Sequence, residues 1–179
     1  MNLEQRIIRE IAKEHSISFA RFMELALYAP DQGYYERQDR VGRSGDFYTS
    51  VSVGNLFGRL LARQFSDWLE EMPPGIPLQI LECGAHDGQL AADILAGLQQ
   101  DSPGLASRLC YRILEPSERR RGWQRERLAS FPNVQWSADW PQVERFHGII
   151  FSNELLDAIP FHRISWNAAS RCWDELRVE

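Results

Sequence analysis

The second half of the chain alternates short apolar segments with segments of helical character, and this alternation restricts the fold more than any other feature. The strand-like segments read LQILEC from Leu78, CYRILE from Cys110, NVQW from Asn133 and HGIIFS from His147. Helical segments occupy Gln89–Gln99 and Ser117–Ala129 between them. Strands that alternate with helices pair in parallel and are buried on both faces. The sequence therefore predicts an α/β fold with a parallel sheet.

The first 72 residues have a helical character instead. Apolar residues at helical spacing predict helices at Leu3–Lys13, in the segment FARFMELALY that follows Ser18, and from about Val53 to Glu71. Ser18 is expected to cap the second of these helices, and Pro30 to end it. The stretch MPPGIP predicts a linker. We therefore divide the chain into a helical N-terminal extension, residues 1–72, and a sheet-containing region, residues 78–179.

The last segment of the chain departs from the alternation. Phe161–Trp166 and Cys172–Val178 read as two strands around a polar turn. We expect an antiparallel β-hairpin at the C-terminal end of the parallel sheet.

Composition narrows the class of protein. The 179 residues are 44% hydrophobic and 25% charged with a formal net charge of −5, which is typical of a soluble globular protein and gives no general attraction to nucleic acid or an anionic membrane. No apolar run approaches the roughly 18 residues of a membrane span. The three cysteines lack CxxC spacing and the four histidines are scattered, so we expect reduced thiols and no metal site. With no signal or transit pattern at the start, a cytoplasmic location is expected.

The first strand runs into a glycine loop, ECGAHDGQL, that opens the following helix. Gly84 lets the backbone turn sharply and approach a ligand without a Cβ. The dinucleotide pattern G-x-G-x-x-G is broken by His86 and Gln89, so a nicotinamide-dependent dehydrogenase is disfavoured. The pattern E-x-G-x-G-x-G of S-adenosylmethionine (SAM) methyltransferases is matched by Glu82 and by two of its three glycines. A plain strand-to-helix turn that needs two glycines remains an alternative.

Two further acids follow the next strands. Glu115 ends the second strand, where a carboxylate can accept the hydroxyls of a ribose. The alternative for Glu115 is an acid placed at a helix start by the helix dipole. Asp139 follows the third strand and is a candidate acceptor for an adenine amino group, or an ordinary loop aspartate.

With these residues in place, the chain resembles the MidA-like SAM-dependent methyltransferases, whose mitochondrial members assist assembly of respiratory complex I. The resemblance covers nearly the whole chain and rests on motifs in order: FMELALYAPDQGYY, SGDFYTS followed by LFGRLLARQ, LECGAHDGQLAADIL, YRILEPS and GIIFSNELLDAIPFHR. It implies a Rossmann-like SAM-methyltransferase sheet, SAM as the cofactor, and a protein substrate. Arginine methylation of a respiratory-complex subunit is what the mitochondrial relatives suggest.

The resemblance also implies roles for individual residues. Gly45, Asp46, Phe47 and Thr49 would close over the cofactor as a lid; Glu82, Gly84, Gly88 and Glu115 would hold it; Asn153, Glu154 and Asp157 would line the acceptor side. A carboxylate such as Glu154 suits a guanidinium acceptor, because it pairs bidentately with the fork of nitrogens. The alternative for SNELLD is a helix start with Asn153 as N-cap.

Three departures from the family pattern favour a rival function. His86 replaces the middle glycine of the loop, and Val51 and Ser52 stand where the family has proline and glutamate. The chain also ends soon after the hairpin, whereas family members run considerably further, so we expect a C-terminally truncated sheet. A catalytically silent methyltransferase-like scaffold or assembly factor is therefore the alternative to an active protein methyltransferase. The sequence does not predict an oligomeric state.

Overall fold

The computed structural model describes residues 1–37, 51, 54–73, 75–143 and 145–179. The described helices are α1 (Leu3–Glu14), α2 (Phe19–Tyr28), α3 (Leu56–Glu70), α4 (Gln89–Asp101), α5 (Pro103–Arg108) and α6 (Glu118–Arg127). The described strands are β1 (Ile17–Ser18), β2 (Leu78–Cys83), β3 (Leu109–Leu114), β4 (Val134–Ser137), β5 (His147–Ser152), β6 (Arg163–Asn167) and β7 (Cys172–Val178). Short 3-10 helices lie at Tyr34–Glu36, Trp140–Gln142 and Leu156–Ala158.

The chain folds into two compact units. The first, here called the hairpin unit, comprises Met1–Arg40 together with Leu156–Glu179. The second, here called the sheet unit, comprises Val41–Leu155. The boundaries of these units do not coincide with the linker at residues 73–77. The reason is that β1, near the start of the chain, pairs with β7, near its end. The assignment of residues 1–72 to an extension with a lid stays a prediction.

The sheet unit contains a four-stranded parallel sheet in the order β4-β3-β2-β5. All six residues of β2 are buried, as expected for a central strand of a parallel sheet. Alternate residues point to opposite faces, and Ile80 and Tyr111 join the main core with residues of α3 and α4. Leu81 faces the other way, into a small cluster with Val143, Phe146 and Leu155. The predicted α/β architecture with a parallel sheet is confirmed.

Helices α3 and α4 cross closely over small residues. A Cβ on Gly58 would lie 2.4 Å from the Cβ of Asp93, so the two backbones approach to a distance that only glycine permits. Two turns along, the hydroxyls of Ser66 and Ser102 lie 2.7 Å apart. This crossing fixes α4, and with it the glycine loop that precedes α4.

The hairpin unit has a three-stranded antiparallel sheet in the order β1-β7-β6. Ser18 caps α2 as predicted, with its hydroxyl accepting from the backbone N–H of Arg21 at 3.1 Å. Arg21 also joins α2 to α1 through Glu10, whose carboxylate lies 2.6 Å from its Nε. The predicted C-terminal hairpin is confirmed, whereas the pairing of β1 and the helix α5 were not anticipated. No described helix is long and apolar enough to cross a membrane.

Candidate functional site

Three connections leave the parallel sheet at the carboxyl ends of neighbouring strands. Cys83, the last residue of β2, pairs with Leu114 on one side and with Ser152 on the other. The glycine loop after β2, Glu115 after β3 and the segment Asn153–Glu154 after β5 therefore start from one edge of the sheet. In open α/β sheets this edge is where ligands bind.

The glycine loop is held in an unusual backbone conformation. The φ angles of Gly84, His86 and Gly88 are +77°, +47° and +83°. L-residues rarely adopt such angles, so glycine is favoured at these positions. A Cβ at Gly84 would also lie 2.6 Å from Cδ1 of Leu155, which packs over the loop. Gly84 is therefore favoured by its φ angle, and a Cβ there would also require the Leu155 side chain to shift.

His86 shows how a larger residue fits this loop. Histidine enters positive φ more readily than most residues, and it does so here. Its carbonyl oxygen accepts from Nε2 of Gln124 at 2.9 Å, and its ring lies 6.2 Å from that of Trp123. The His86 Nε2 atom is buried and makes no hydrogen bond to any part of the chain that the structure describes. The loop thus keeps its turn, and it carries one buried polar atom without a hydrogen-bond partner among the described residues.

Arg127, the last residue of α6, hydrogen-bonds to the glycine loop. Its Nε donates to the carbonyl oxygen of Asp87 at 3.0 Å, and its Nη2 lies 2.7 Å from the Asp87 carboxylate. Arg127 also donates to the side chain of Gln89, at the start of α4. Burial raises the pKa of Asp87, but the neighbouring His86 and Arg127 together hold it below its usual value. Asp87 is therefore an anion whose position is fixed by α6.

Glu82 lies on the helix-covered side of the sheet. Its side chain is only 2% exposed, and its carboxylate accepts from the Tyr111 hydroxyl at 2.8 Å. Burial raises the pKa of Glu82 to about 7, and Asp87 acts in the same direction. Its described partner is a tyrosine of the next strand, and the cofactor role that the resemblance implies stays a prediction.

Glu115 is as deeply buried as Glu82, but its carboxylate pairs with the guanidinium of Arg120. One carboxylate oxygen, Oε1, accepts from the backbone N–H of Ser117 at 2.9 Å and from Nη2 of Arg120 at 2.8 Å. The other, Oε2, has a long contact of 3.4 Å with Nε2 of Gln124. Since a carboxylate oxygen can accept two hydrogen bonds, Oε2 keeps acceptor capacity. The two roles considered for Glu115, an acid at a helix start and a ribose acceptor, are therefore compatible. Oε1 holds the start of α6, while Oε2 keeps capacity to accept from a ligand.

The segment after β5 turns without starting an α-helix. Glu154 is exposed and has a φ of +49°, and a 3-10 helix begins only at Leu156. The interpretation of SNELLD as a helix start capped by Asn153 is therefore wrong. A non-glycine residue at positive φ costs of order 1–3 kcal/mol and is concentrated at functional sites. Asp157 is exposed and belongs to the hairpin unit.

The remaining predicted residues are less constrained. Asp139 is exposed and precedes the 3-10 helix at Trp140–Gln142, where its carbonyl oxygen accepts from the N–H of Gln142. Gly45, Asp46, Phe47 and Thr49, together with Ser52, lie outside the described residues. Within the described ranges no group of three or more histidine, cysteine or acidic side chains could hold a metal ion.

Sequence reasoning missed Gln124 as a site residue. The segment ERRRGWQRERL is rich in charged residues, which favours a solvated helix face with Glu/Arg pairs, and Glu118 does pair with Arg121 and Arg125. Gln124 is instead 0% exposed. The available signal was its spacing, because Gln124 lies four residues before the apolar Leu128 and so shares its buried face.

Comparison of the sequence with known proteins finds a matching family model and several relatives. A family model described as "Putative S-adenosyl-L-methionine-dependent methyltransferase" matches residues 60–179. The Drosophila melanogaster relative named protein arginine methyltransferase NDUFAF7 homolog, mitochondrial, is 28% identical, and the match covers 99% of this chain. The Mus musculus protein arginine methyltransferase NDUFAF7, mitochondrial, is 27% identical over 98% of this chain. The chain spans 45% of the length of each of these relatives.

A solved structure agrees with the fold. The crystal structure of a Burkholderia thailandensis protein bound to S-adenosyl-homocysteine is similar to this chain with a TM-score of 0.76 and 34% sequence identity. The match covers 97% of this chain and 45% of that protein. The Rossmann-like methyltransferase sheet that the resemblance implies is therefore confirmed.

Proposed function

This chain belongs to the family of S-adenosyl-L-methionine-dependent methyltransferases, and we propose that it binds this cofactor at the carboxyl edge of its parallel sheet and methylates a protein. The proposal is carried by one observation: the positive-φ loop at Gly84–Gly88 lies beside a buried Glu115 whose Oε2 can still accept hydrogen bonds. That pair suits a ligand with a ribose at one end and a charged amino-acid group at the other.

The residues of the loop fit the group that the family binds. Glu115 offers an acceptor to ribose hydroxyls, and the unsatisfied Nε2 of His86 offers a polar contact within the loop. Asp139, after β4, is proposed to accept from the adenine amino group, and Gly84 and Gly88 to give the loop the positive-φ turns that bring its backbone to the ligand. Gly45, Asp46, Phe47 and Thr49 are proposed to form a lid over it.

The cofactor supplies an activated methyl group on a sulfonium, so the protein's task is alignment of an acceptor. Glu154 is exposed at positive φ beside the loop, and we assign it to the acceptor side. Its carboxylate pairs with a guanidinium, fixes the plane of that group and offsets its charge. Asn153 is proposed to contact the same acceptor, and the role of Asp157 stays a prediction from the resemblance.

The class of substrate is supported by the relatives. They are named mitochondrial protein arginine methyltransferases, and we propose that the acceptor here is an arginine of a protein, namely a respiratory-complex subunit. The three free cysteines agree with a reducing compartment, and we propose the cytoplasm.

A second candidate function is a catalytically silent scaffold that keeps the methyltransferase fold. Two contacts favour it: Leu155 packs directly on Gly84, and Arg120 occupies one oxygen of Glu115. In this function both contacts would be permanent, and the edge of the sheet would recognise another protein rather than a cofactor.

Calorimetric titration of the 179-residue chain with SAM and with S-adenosyl-homocysteine separates the two functions. We expect micromolar binding, about −8 kcal/mol. Gly88→Val is the matched variant, since a β-branched residue at a φ of +83° cannot keep the loop. A folded wild-type chain that binds neither ligand would support the scaffold, whereas equal affinity in Gly88→Val would mean that the ligand does not bind at the glycine loop. Transfer of labelled methyl to arginine peptides then tests the acceptor, with lysine peptides as the control.

A further inference from the structure

Gln124 of α6 occupies a point where three parts of the candidate site meet. Its amide nitrogen donates to the carbonyl oxygen of His86 at 2.9 Å and contacts Oε2 of Glu115 at 3.4 Å. Its amide oxygen accepts from the indole N–H of Trp136, in β4, at 3.0 Å. One side chain therefore joins the glycine loop, the acid after β3 and the neighbouring strand.

The orientation of this amide follows from its partners. A carbonyl and a carboxylate only accept, so both require the NH₂ group, whereas an indole N–H only donates and requires the oxygen. A flipped amide would place two acceptors against its oxygen and a donor against its nitrogen. Because Gln124 is 0% exposed, water cannot replace the lost partners. The side chain thus has one permitted orientation.

Gln124 contacts the oxygen of Glu115 that is free for a ligand. Oε1 of Glu115 accepts hydrogen bonds from Ser117 and Arg120, so Oε2 is the oxygen through which this carboxylate would bind a ligand. The same amide group holds the carbonyl of His86, in the middle of the loop. Gln124 therefore fixes the position of the ribose acceptor relative to the loop.

We propose that Gln124 is a positioning residue that couples recognition of the ribose hydroxyls by Glu115 to the conformation of the glycine loop. This inference rests on the proposed function, because it requires that the site bind an adenosyl ligand. It does not require that Gln124 touch the ligand.

A ligand cycle tests the coupling. The binding of S-adenosyl-homocysteine and of its 2′-deoxy analogue is measured by calorimetry for wild type and Gln124→Met, which keeps the side-chain length and removes the amide. We expect Gln124→Met to weaken S-adenosyl-homocysteine roughly tenfold, the scale of a disturbed hydrogen bond to a carboxylate, and the 2′-deoxy analogue by less than about threefold. Gln99→Met, at an exposed glutamine of α4, is the control and should leave both affinities unchanged.

Two results would overturn the inference. An equal loss for both ligands would mean that Gln124 only supports the fold, and no loss for either would mean that it has no influence on the site. A wild-type chain that binds neither ligand would instead refute the proposed function, and this inference with it. If Gln124→Met does not fold, Trp136→Phe serves, since it removes the indole N–H that fixes the amide. It should show the same preferential loss for the ligand with both hydroxyls.

Discussion

The parallel sheet of the sheet unit and the hairpin of β6 and β7 are stabilised by different means. In β2 every residue is buried, and the acids Glu82 and Glu115 are buried against Tyr111 and Arg120. In the hairpin, β6 and β7 contain no buried residue. The charged groups of the hairpin, such as Glu175 with His162 and Arg177, lie near the surface.

This difference indicates where substitutions matter. Burial of apolar surface is the main favourable term in folding, whereas exposed ion pairs contribute about 0–1 kcal/mol. The sheet unit should therefore be sensitive to single atoms at its close contacts, and the hairpin of β6 and β7 should tolerate change. The described residues assigned to the cofactor all belong to the sensitive unit, so variants there must be checked for folding before affinity is interpreted.

The largest effect is expected at Gly148, in the edge strand β5. A Cβ there would lie 1.7 Å from the carbonyl oxygen of Gln79, which is impossible without separating β5 from β2. We expect Gly148→Ala to lower the free energy of unfolding by more than about 4 kcal/mol. Gly104→Ala is the control, because a Cβ there meets nothing within 4 Å. Urea unfolding followed by circular dichroism measures both, and a Gly148→Ala protein as stable as Gly104→Ala would contradict the pairing of β2 with β5.

The next effect concerns the protonation of Glu82. Its pKa is about 7 in the folded protein against 4.5 for the ordinary group, so the folded state binds the proton more tightly. The stability from this group is complete below pH 4.5 and is lost as the pH rises through 7. The loss amounts to about 3 kcal/mol. Glu82→Gln should remove this part of the pH dependence in urea unfolding, whereas the exposed control Glu126→Gln should retain it. If the free energy of unfolding of Glu82→Gln depended on pH as it does in the wild type, the titration would belong to another group.

A smaller effect is expected where α3 crosses α4. Gly58→Ala would place a Cβ 2.4 Å from that of Asp93 and should cost about 1–3 kcal/mol, as overpacking does. Gly122→Ala, in α6, is the matched substitution: its Cβ meets nothing, so the higher helix propensity of alanine should add up to about 1 kcal/mol. Thermal unfolding should move the two midpoints in opposite directions. A stabilised Gly58→Ala would show that the helices can separate without loss.

The sequence predicted what depends on neighbours along the chain and missed what depends on distant contacts. The strand at Leu78–Cys83 and the cap at Ser18 follow from local pattern and were predicted. The pairing of Ile17 with Val178 joins opposite ends of the chain and has no local signal. The role of Gln124 was missed for the same reason, because its partners lie on the glycine loop, β4 and Glu115.

The smallest effect is expected in the hairpin, at the Trp166–Trp173 pair. These residues lie directly opposite each other on β6 and β7, and their rings are 5.4 Å apart in an edge-to-face arrangement. Such pairs contribute about 0.5–1.5 kcal/mol. Because Trp173 remains 64% exposed, we expect the lower end of that range for the coupling energy of a double-mutant cycle with Trp166→Ala and Trp173→Ala.

Thermal unfolding of the four proteins in this cycle measures the coupling. Trp140→Ala, at another exposed tryptophan, provides the effect of losing an indole without this partner. A loss above about 2 kcal/mol for Trp173→Ala alone would be too large for an exposed ring pair. It would mean that the tryptophan is covered in solution, and that the hairpin of β6 and β7, like the parallel sheet, is stabilised by burial.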